Sequence, residues 1–223
     1  MEIKLFLQAI TKYIFGILVV GALLFIPADS LEYWNGWLFI GLLFIPMLIA
    51  GIVLMIKRPE LLRKRLNTKE QENEQKLVLL VSGLMFILGF IVAGLNYKYN
   101  WIKIPNIVVI ISTILFIIAY ILYAEVLREN AYLSRTIEIQ ENQKVIDAGL
   151  YRIVRHPMYA ITILLFLTMP LILGSFISFI IFLIYPIIIC KRIKNEEKIL
   201  EEGLKGYSEY KKKVKYKVIP FVW

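Results

Sequence analysis

Long uncharged stretches of apolar residues alternate with short polar segments along the chain. Three stretches without a charged side chain are 19 to 21 residues long, close to the roughly 20 residues that a helix needs to cross a bilayer. They cover residues 36–56, 77–95 and 104–124. A further stretch, 9–27, contains Lys12 near its end, where a lysine side chain can extend to the membrane interface. The pattern therefore predicts four membrane-spanning helices before residue 125.

For the stretch 9–27, the alternative interpretation is a signal peptide, because this part of the chain combines a basic start with an apolar centre. The sequence that follows, Pro-Ala-Asp-Ser at 27–30, is a poor cleavage site. We therefore expect a retained helix.

The last apolar stretch, 157–190, is too long for one spanning helix. Its 34 residues would extend about 51 Å as a single helix, against a hydrocarbon core of about 30 Å. Gly174 and Ser175 divide it into pieces of 17 and 15 residues. We expect a helical hairpin whose two ends lie on the same side of the membrane.

Basic residues support this topology. With six spans, all but two of the 26 lysines and arginines lie on one side, and the exceptions are Lys98 and Lys103. Such an asymmetry predicts that both termini are cytoplasmic, in the plasma membrane if the source is bacterial. A single long fifth helix would instead place the basic segment 191–223 on the opposite side.

Composition agrees with a membrane protein. The chain has 223 residues, of which 59% are hydrophobic and 19% charged, with a mean hydropathy of +0.71. These values exclude an ordinary soluble enzyme, a disordered tail and a disulfide-rich secreted domain. The predicted fold is an all-α polytopic bundle of about six transmembrane segments, with the hairpin last and a cytoplasmic C-terminal helix. We divide it into transmembrane helices over 1–124 and a functional region over 125–223.

Candidate chemistry lies in the polar stretches on either side of the hairpin. Arg155-His156-Pro157 precedes the first hairpin helix, and proline suits the first helical turn because its missing N–H would be unpaired there. The free N–H groups of that helix start, beside an arginine and a histidine, favour an anion. The alternative is a capping cluster that only orients the hairpin.

The second polar stretch begins where the hairpin ends. Glu196 and Glu197 lie about 100° apart on a helix, so at most one of them faces a given ligand fully. Apolar residues at helical spacing predict that this helix continues towards Val214. A solvated charged helix is the alternative. The single histidine and single cysteine cannot form a zinc site, no metal is expected, and no nucleic-acid-binding pattern is present.

The ordered motifs of this region resemble those of the isoprenylcysteine carboxyl methyltransferase family, and residues 130–140 resemble its bacterial branch. The matching residues are Gly-Leu-Tyr-Arg at 149–152, Arg-His-Pro-Met-Tyr at 155–159, then Arg192, Glu196-Glu197, Leu200, Tyr207, Tyr210, Val214 and Pro220. The family often has Gly-Pro-Tyr at 149–151 and an arginine at the position of Lys217. Lysine keeps the positive charge but lacks the planar fork that binds a carboxylate at two points.

This resemblance implies an integral-membrane methyltransferase that uses S-adenosyl-L-methionine and methylates a lipophilic acceptor from the bilayer, such as an isoprenylcysteine-type carboxylate. The expected cofactor-binding residues are Gly149, Tyr151, Arg155, His156, Pro157, Tyr159, Glu196, Glu197 and Tyr210. The expected catalytic residues are Arg135, Arg192 and Glu197. The two arginines are candidates for positioning an anionic acceptor, and a glutamate or His156 is the candidate base where the acceptor needs one.

Two alternatives remain at this point. An NADPH-dependent enzyme of the sterol-reductase type has a similar C-terminal end, although aspartates commonly occupy the position of the glutamate pair there. A non-enzymatic membrane protein with a basic, lipid-binding tail would explain the lysines through the phosphate-rich membrane surface.

Overall fold

A computed structural model of the chain describes residues 2–66, 73–133 and 139–223. These residues form α-helices and connecting turns, without a strand, so the all-α class is confirmed. The helices are α1 (Glu2–Ala28), α2 (Trp34–Lys57), α3 (Pro59–Leu66), α4 (Asn73–Tyr99), α5 (Asn106–Glu129), α6 (Pro157–Ile172), α7 (Phe176–Phe182), α8 (Ile184–Gly203) and α9 (Tyr207–Lys213). The 3₁₀ turn Gly149–Arg152 precedes α6.

The predicted spans are confirmed as helices. Five segments are long and apolar enough to cross a membrane: Ile3–Ala28, Trp34–Lys57, Lys76–Tyr99, Asn106–Glu129 and Phe176–Gly203. The sixth, α6, has 16 residues and is therefore shorter, about 24 Å. The first helix begins at Glu2 rather than at residue 9. The proposed division of the chain at 124/125 falls inside helix α5, and this division stays a prediction.

The exterior of the bundle is apolar. Side chains such as Phe15, Leu18 and Ile121 are more than 60% exposed in the isolated chain. Apolar surface of this extent is typical of contact with lipid. The chain is accordingly a multi-pass membrane protein.

The hairpin has the predicted turn. Helix α6 ends at Ile172, Gly174 adopts a left-handed conformation with φ of +74°, and the Ser175 hydroxyl accepts from the Ser178 N–H at the start of α7. The second limb is interrupted at Leu183, where α7 gives way to α8. Pro186 then lies in the first turn of α8, where a missing N–H is tolerated.

Side chains at the start of α2 and in α4 donate hydrogen bonds to the carbonyl groups of the hairpin turn. The Tyr33 hydroxyl donates to the Leu173 carbonyl at 2.6 Å, the Asn35 amide to the Ile172 carbonyl at 2.7 Å, and the Asn96 amide to the Gly174 carbonyl at 3.3 Å. Carbonyls at the end of a helix lack partners within it. The N-terminal half therefore fixes the turn end of the hairpin.

The opposite end of the bundle gathers the predicted polar stretches. The short helix α3, which lies in a segment that hydropathy indicates as a loop, buries Leu61 and Leu62. The Arg58 guanidinium donates to the carbonyls of Leu127 and Arg128 at the end of α5, both at 3.2 Å. The N-terminal half thus contacts the functional region directly.

The predicted helix towards Val214 is broken. Helix α8 ends at Gly203, and Gly206 has φ of +88°, a conformation that favours glycine. The chain then forms the separate helix α9. The break lets the residues of α9 pack back towards α8 and the 3₁₀ turn.

Candidate functional site

The start of α6 lies against the segment that follows α9. The backbone N–H of Arg155 donates to the Tyr216 carbonyl at 2.9 Å, and the N–H of His156 donates to the Lys217 carbonyl at 2.8 Å. Pro157 occupies the first position of α6, as predicted. The two polar stretches that flank the hairpin therefore meet.

A buried charge cluster joins these segments to α8. The Glu197 carboxylate, 4% exposed as a residue, accepts from Arg155 Nε at 2.7 Å through Oε1 and pairs with Lys217 Nζ at 3.0 Å through Oε2. His156 Nε2 lies 3.2 Å from the same Oε1. Arg155 Nη1 also donates to the carbonyls of Val214 and Lys215. Burying a carboxylate is costly unless it is paired, and these contacts offset that cost.

The neighbouring Glu196 has a different set of contacts. Its Oε2 accepts from the Tyr159 hydroxyl at 2.6 Å, and the same hydroxyl accepts from Arg192 Nε at 2.8 Å. This chain of hydrogen bonds joins α6 to α8. The Tyr159 phenol thus lies between the Glu196 carboxylate and the Arg192 guanidinium.

A cavity lies beside both clusters, between the 3₁₀ turn, α6, α8, α9 and residues 143–146. Of the predicted site residues, those that line it are Tyr151, Arg155, His156, Tyr159, Arg192, Glu196 and Tyr210. Gly149, Pro157 and Glu197 are not among its lining residues. Arg135 lies outside the described residues. Seven of the predicted site residues thus surround one cavity. Glu197 contacts two of them, Arg155 and His156, without lining the cavity itself.

Gly149 has a positional role in this arrangement. It has φ of +54°, and a Cβ built on it would clash with Glu129 Oε1. The Glu129 carboxylate accepts from the Leu150 N–H at 3.0 and 3.2 Å. The absence of a side chain lets this carboxylate reach the backbone and orient the 3₁₀ turn that contains Tyr151.

Three tyrosines outside the spans border the cavity. Asn130 Nδ2 donates to the Tyr151 hydroxyl at 2.8 Å, and the Tyr210 hydroxyl donates to the Tyr151 carbonyl at 2.7 Å. Burial raises the pKa of all three phenols, those of Tyr151, Tyr207 and Tyr210, well above their usual value. They remain neutral hydrogen-bonding groups at physiological pH.

Two residues outside the predicted site residues contribute to the site. Tyr207 lines the cavity and its buried hydroxyl has no hydrogen-bond partner within the described residues. Arg65 of α3 donates to the Tyr123 hydroxyl and lies 3.9 Å from the sulfur of Met158, itself a lining residue. Tyr207 was among the residues that resemble the family motifs, although no role in the site was predicted for it. Nothing in the hydropathy pattern indicated the second.

Comparison with known proteins agrees with the motifs. The model of the isoprenylcysteine carboxyl methyltransferase (ICMT) family matches residues 110–202, which include α6, α7 and most of α5 and α8. Over these residues the chain is similar to the ICMT family. This similarity and the apolar helices support a membrane methyltransferase. No curated protein matches the chain in sequence. Among the described residues, no group of three or more His, Cys, Asp or Glu is arranged to hold a metal ion.

Proposed function

We propose that the chain is an S-adenosyl-L-methionine-dependent methyltransferase that acts on a lipophilic acceptor at the cytoplasmic face of the membrane. The observation that supports it is the mixed lining of the cavity. Glu196 shares the lining with the guanidinium groups of Arg155 and Arg192 and the imidazole of His156, and tyrosines complete the wall. All but two of the lysines and arginines belong to the polar segments predicted on that same side.

The chemistry of the lining fits this cofactor. S-adenosyl-L-methionine carries a carboxylate, an ammonium group, a ribose diol, an adenine and a sulfonium cation. The backbone N–H groups of Arg155 and His156 are taken by the carbonyls of Tyr216 and Lys217, so the helix start does not offer them to an anion. The side chains of Arg155 and His156 line the cavity and suit the carboxylate, since a guanidinium has donors beyond those bonded to Glu197 and the two carbonyls. Glu196 suits the ammonium or the ribose hydroxyls. The buried Tyr207 hydroxyl has no hydrogen-bond partner in the part of the chain that the structure describes, which supports the presence of a ligand, because buried polar groups in proteins are almost always hydrogen-bonded.

The protein's part in methyl transfer is alignment and exclusion of water. When bound, S-adenosyl-L-methionine supplies an electrophilic methyl group. We assign Arg192, and Arg135 outside the described residues, to orienting an anionic acceptor group. We assign Glu197 to holding Arg155, His156 and Lys217 in place, since its oxygens contact those groups. A carboxylate acceptor needs no base, whereas a thiol or amine needs one, for which His156 is the candidate.

The acceptor is proposed to enter from the bilayer. Helix α6, whose start lines the cavity, is apolar along its length, and the apolar helix α7 leads into α8, which carries Glu196. An isoprenylcysteine-type carboxylate combines a chain for that environment with an anionic head for the arginines. Other lipids with a nucleophilic head share this chemistry, and a panel of acceptors distinguishes them.

Calorimetry on detergent-purified protein tests the proposal. We expect S-adenosylmethionine and S-adenosylhomocysteine to bind and NADPH not to bind. Glu196→Gln should weaken binding of the first two about tenfold or more, the usual effect of losing a hydrogen bond to a charged group. Glu201→Gln, on the exposed side of the same helix, is the matched control and should bind as wild type. Binding of NADPH alone, or of none of the three to folded protein, contradicts the proposal.

A further inference from the structure

A second cavity lies at the end of the bundle opposite to the candidate functional site. Its volume is about 580 Å³, within the range of pockets that bind small molecules. Its wall combines the ends of α1 and α4, the starts of α2 and α5, and the hairpin turn at Leu173 and Gly174. The predicted site residues that the structure describes do not border it. This cavity is therefore separate from the proposed methyltransferase site.

The lining of this cavity has an excess of positive charge. Lys98 and Lys103, the two basic residues that the predicted topology places on this side of the membrane, both border it. Asp29 also borders it and pairs with Lys98 at 3.1 Å. Among the described lining residues, two lysines and one aspartate leave one positive charge. Lys103 forms no ion pair or hydrogen bond with other described residues, so its ammonium group is available to an anion.

Side-chain amides supply uncharged hydrogen-bonding groups beside the lysines. Asn100 and Asn106 border the cavity, and their side chains make no hydrogen bond to other residues of the described segments. The amides of Asn35 and Asn96 border it too, but they donate to carbonyls of the hairpin turn. An ammonium group binds a phosphate oxygen, and an amide both donates to and accepts from hydroxyl groups. The lining therefore suits a phosphate that carries a hydroxylated group.

The residues around the cavity indicate the depth at which it lies in the membrane. Trp34, Trp37 and Trp101 belong to the same end of the bundle, and each is about half exposed in the isolated chain. Tryptophan is enriched where the hydrocarbon core meets the lipid headgroups. The cavity accordingly lies at the level of the headgroups.

An apolar stripe leads from the cavity into the membrane-spanning part of α5. It consists of Ile107, Ile110, Ile111 and Ile114, which are each at least half exposed and share one face of the helix. The stripe begins next to Asn106, which borders the cavity. A free phosphate ion would contact the polar lining alone, whereas a phospholipid would contact the lining and the stripe together. The arrangement favours a phospholipid.

We propose that this cavity binds the headgroup of an anionic phospholipid, with the phosphodiester at Lys103 and Lys98 and an acyl chain along the isoleucine stripe of α5. The bound headgroup also contacts Leu173 and Gly174 and so stabilises the turn of the hairpin. The proposal does not rest on the proposed function, because the cavity lies at the other membrane surface.

Thermal unfolding in lipid nanodiscs tests the proposal. The probe is phosphatidylglycerol, whose headgroup has a phosphodiester and two hydroxyl groups, mixed into phosphatidylcholine. Phosphatidylglycerol should raise the unfolding temperature of the wild type, because a ligand that binds the folded state stabilises it. Lys103→Gln should need about tenfold more phosphatidylglycerol for the same rise. In pure phosphatidylcholine it should unfold as wild type, since Lys103 has no partner among the described residues.

The matched control is Lys4→Gln, which removes one exposed positive charge from the opposite end of the bundle. This variant should keep the full rise in unfolding temperature. It separates binding at the cavity from the general attraction between a basic protein and an anionic membrane.

Hydrogen exchange locates the bound lipid. Phosphatidylglycerol should slow exchange over 171–176 in the wild type and in Lys4→Gln, and should do so much less in Lys103→Gln. Inorganic phosphate added to phosphatidylcholine nanodiscs should leave exchange over these residues unchanged.

Three results would overturn the proposal. An equal response of Lys103→Gln and wild type to phosphatidylglycerol assigns the lipid to another surface. A rise in unfolding temperature without slower exchange over 171–176 leads to the same conclusion. Slower exchange with inorganic phosphate, to the same extent as with the lipid, shows that the cavity binds a free anion. Binding of the methyl donor is not measured in these experiments, so their failure is distinct from failure of the proposed function.

Discussion

Glu196 and Glu197 are adjacent in α8, yet their carboxylates belong to separate hydrogen-bond networks. Glu196 accepts from the Tyr159 hydroxyl and lines the cavity, whereas Glu197 is enclosed by Arg155, His156 and Lys217. The helix rotates about 100° between them, which is enough to direct one towards a ligand and the other towards the protein. Substituting the two should therefore have different consequences.

Glu197→Gln should destabilise the protein. It removes the negative charge that compensates the buried Arg155 guanidinium and the half-buried Lys217 ammonium, and breaking a buried pair costs about 3–5 kcal/mol. Thermal unfolding in detergent should show a large drop for Glu197→Gln and a much smaller one for Glu196→Gln. The control Glu201→Gln should unfold as wild type. Equal unfolding temperatures for Glu197→Gln and wild type would contradict the role assigned to this cluster.

Gly149→Ala should disturb the 3₁₀ turn before α6. The added Cβ occupies the space of the Glu129 carboxylate. The alanine must also adopt the left-handed backbone conformation of this position, at a cost of about 1–3 kcal/mol. Hydrogen exchange should show faster exchange at the Leu150 N–H. The matched control is Gly51→Ala in α2, where no heavy atom lies within 4 Å of the new Cβ. Similar destabilisation by both substitutions would show that the turn has no special requirement for glycine.

Arg65→Met should loosen α3. Arg65 donates to the Tyr123 hydroxyl and lies over its ring, so the substitution removes contacts between α3 and α5 worth about 1–3 kcal/mol. Hydrogen exchange over 59–66 measures the effect. Arg63→Met is the control, because Arg63 pairs with Glu60 of the same short helix and is exposed. Unchanged exchange in Arg65→Met would mean that Leu61 and Leu62 hold the helix without it.

The ion pair between Asp147 and Lys213 should make the packing of α9 dependent on pH. The hydrogen bond from Lys213 holds the pKa of the Asp147 carboxyl below its usual value. Its stabilising contribution is therefore present above about pH 4, the ordinary pKa, and is lost as the pH falls through the lower value of the folded protein. Unfolding temperatures of wild type and Asp147→Asn should differ slightly at pH 7 and converge in acid. A constant difference would contradict the pairing.

The sequence was sufficient to predict the spans, since uncharged stretches of about 20 residues and the Gly174-Ser175 turn correspond to local structure. Helix α3 was not predicted because its two buried leucines lie among basic residues, which keep the average hydropathy of the segment low. The break at Gly206 and the position of Glu197 depend on where residues 214–217 return to Arg155. That contact is tertiary, and helical spacing alone cannot reveal it.

The contact between Arg155 and residues 214–217 also sets the order in which the site is made. The partners of Arg155 follow it by 42 to 60 residues, so during synthesis the guanidinium at first has neither Glu197 nor the carbonyls of Val214 and Lys215. During insertion, this charge must remain in contact with water or the lipid surface. A chain that ended after α8 would contain Glu197 but lack the Val214 and Lys215 carbonyls and the Lys217 ammonium, so the buried charges of the site would be only partly compensated.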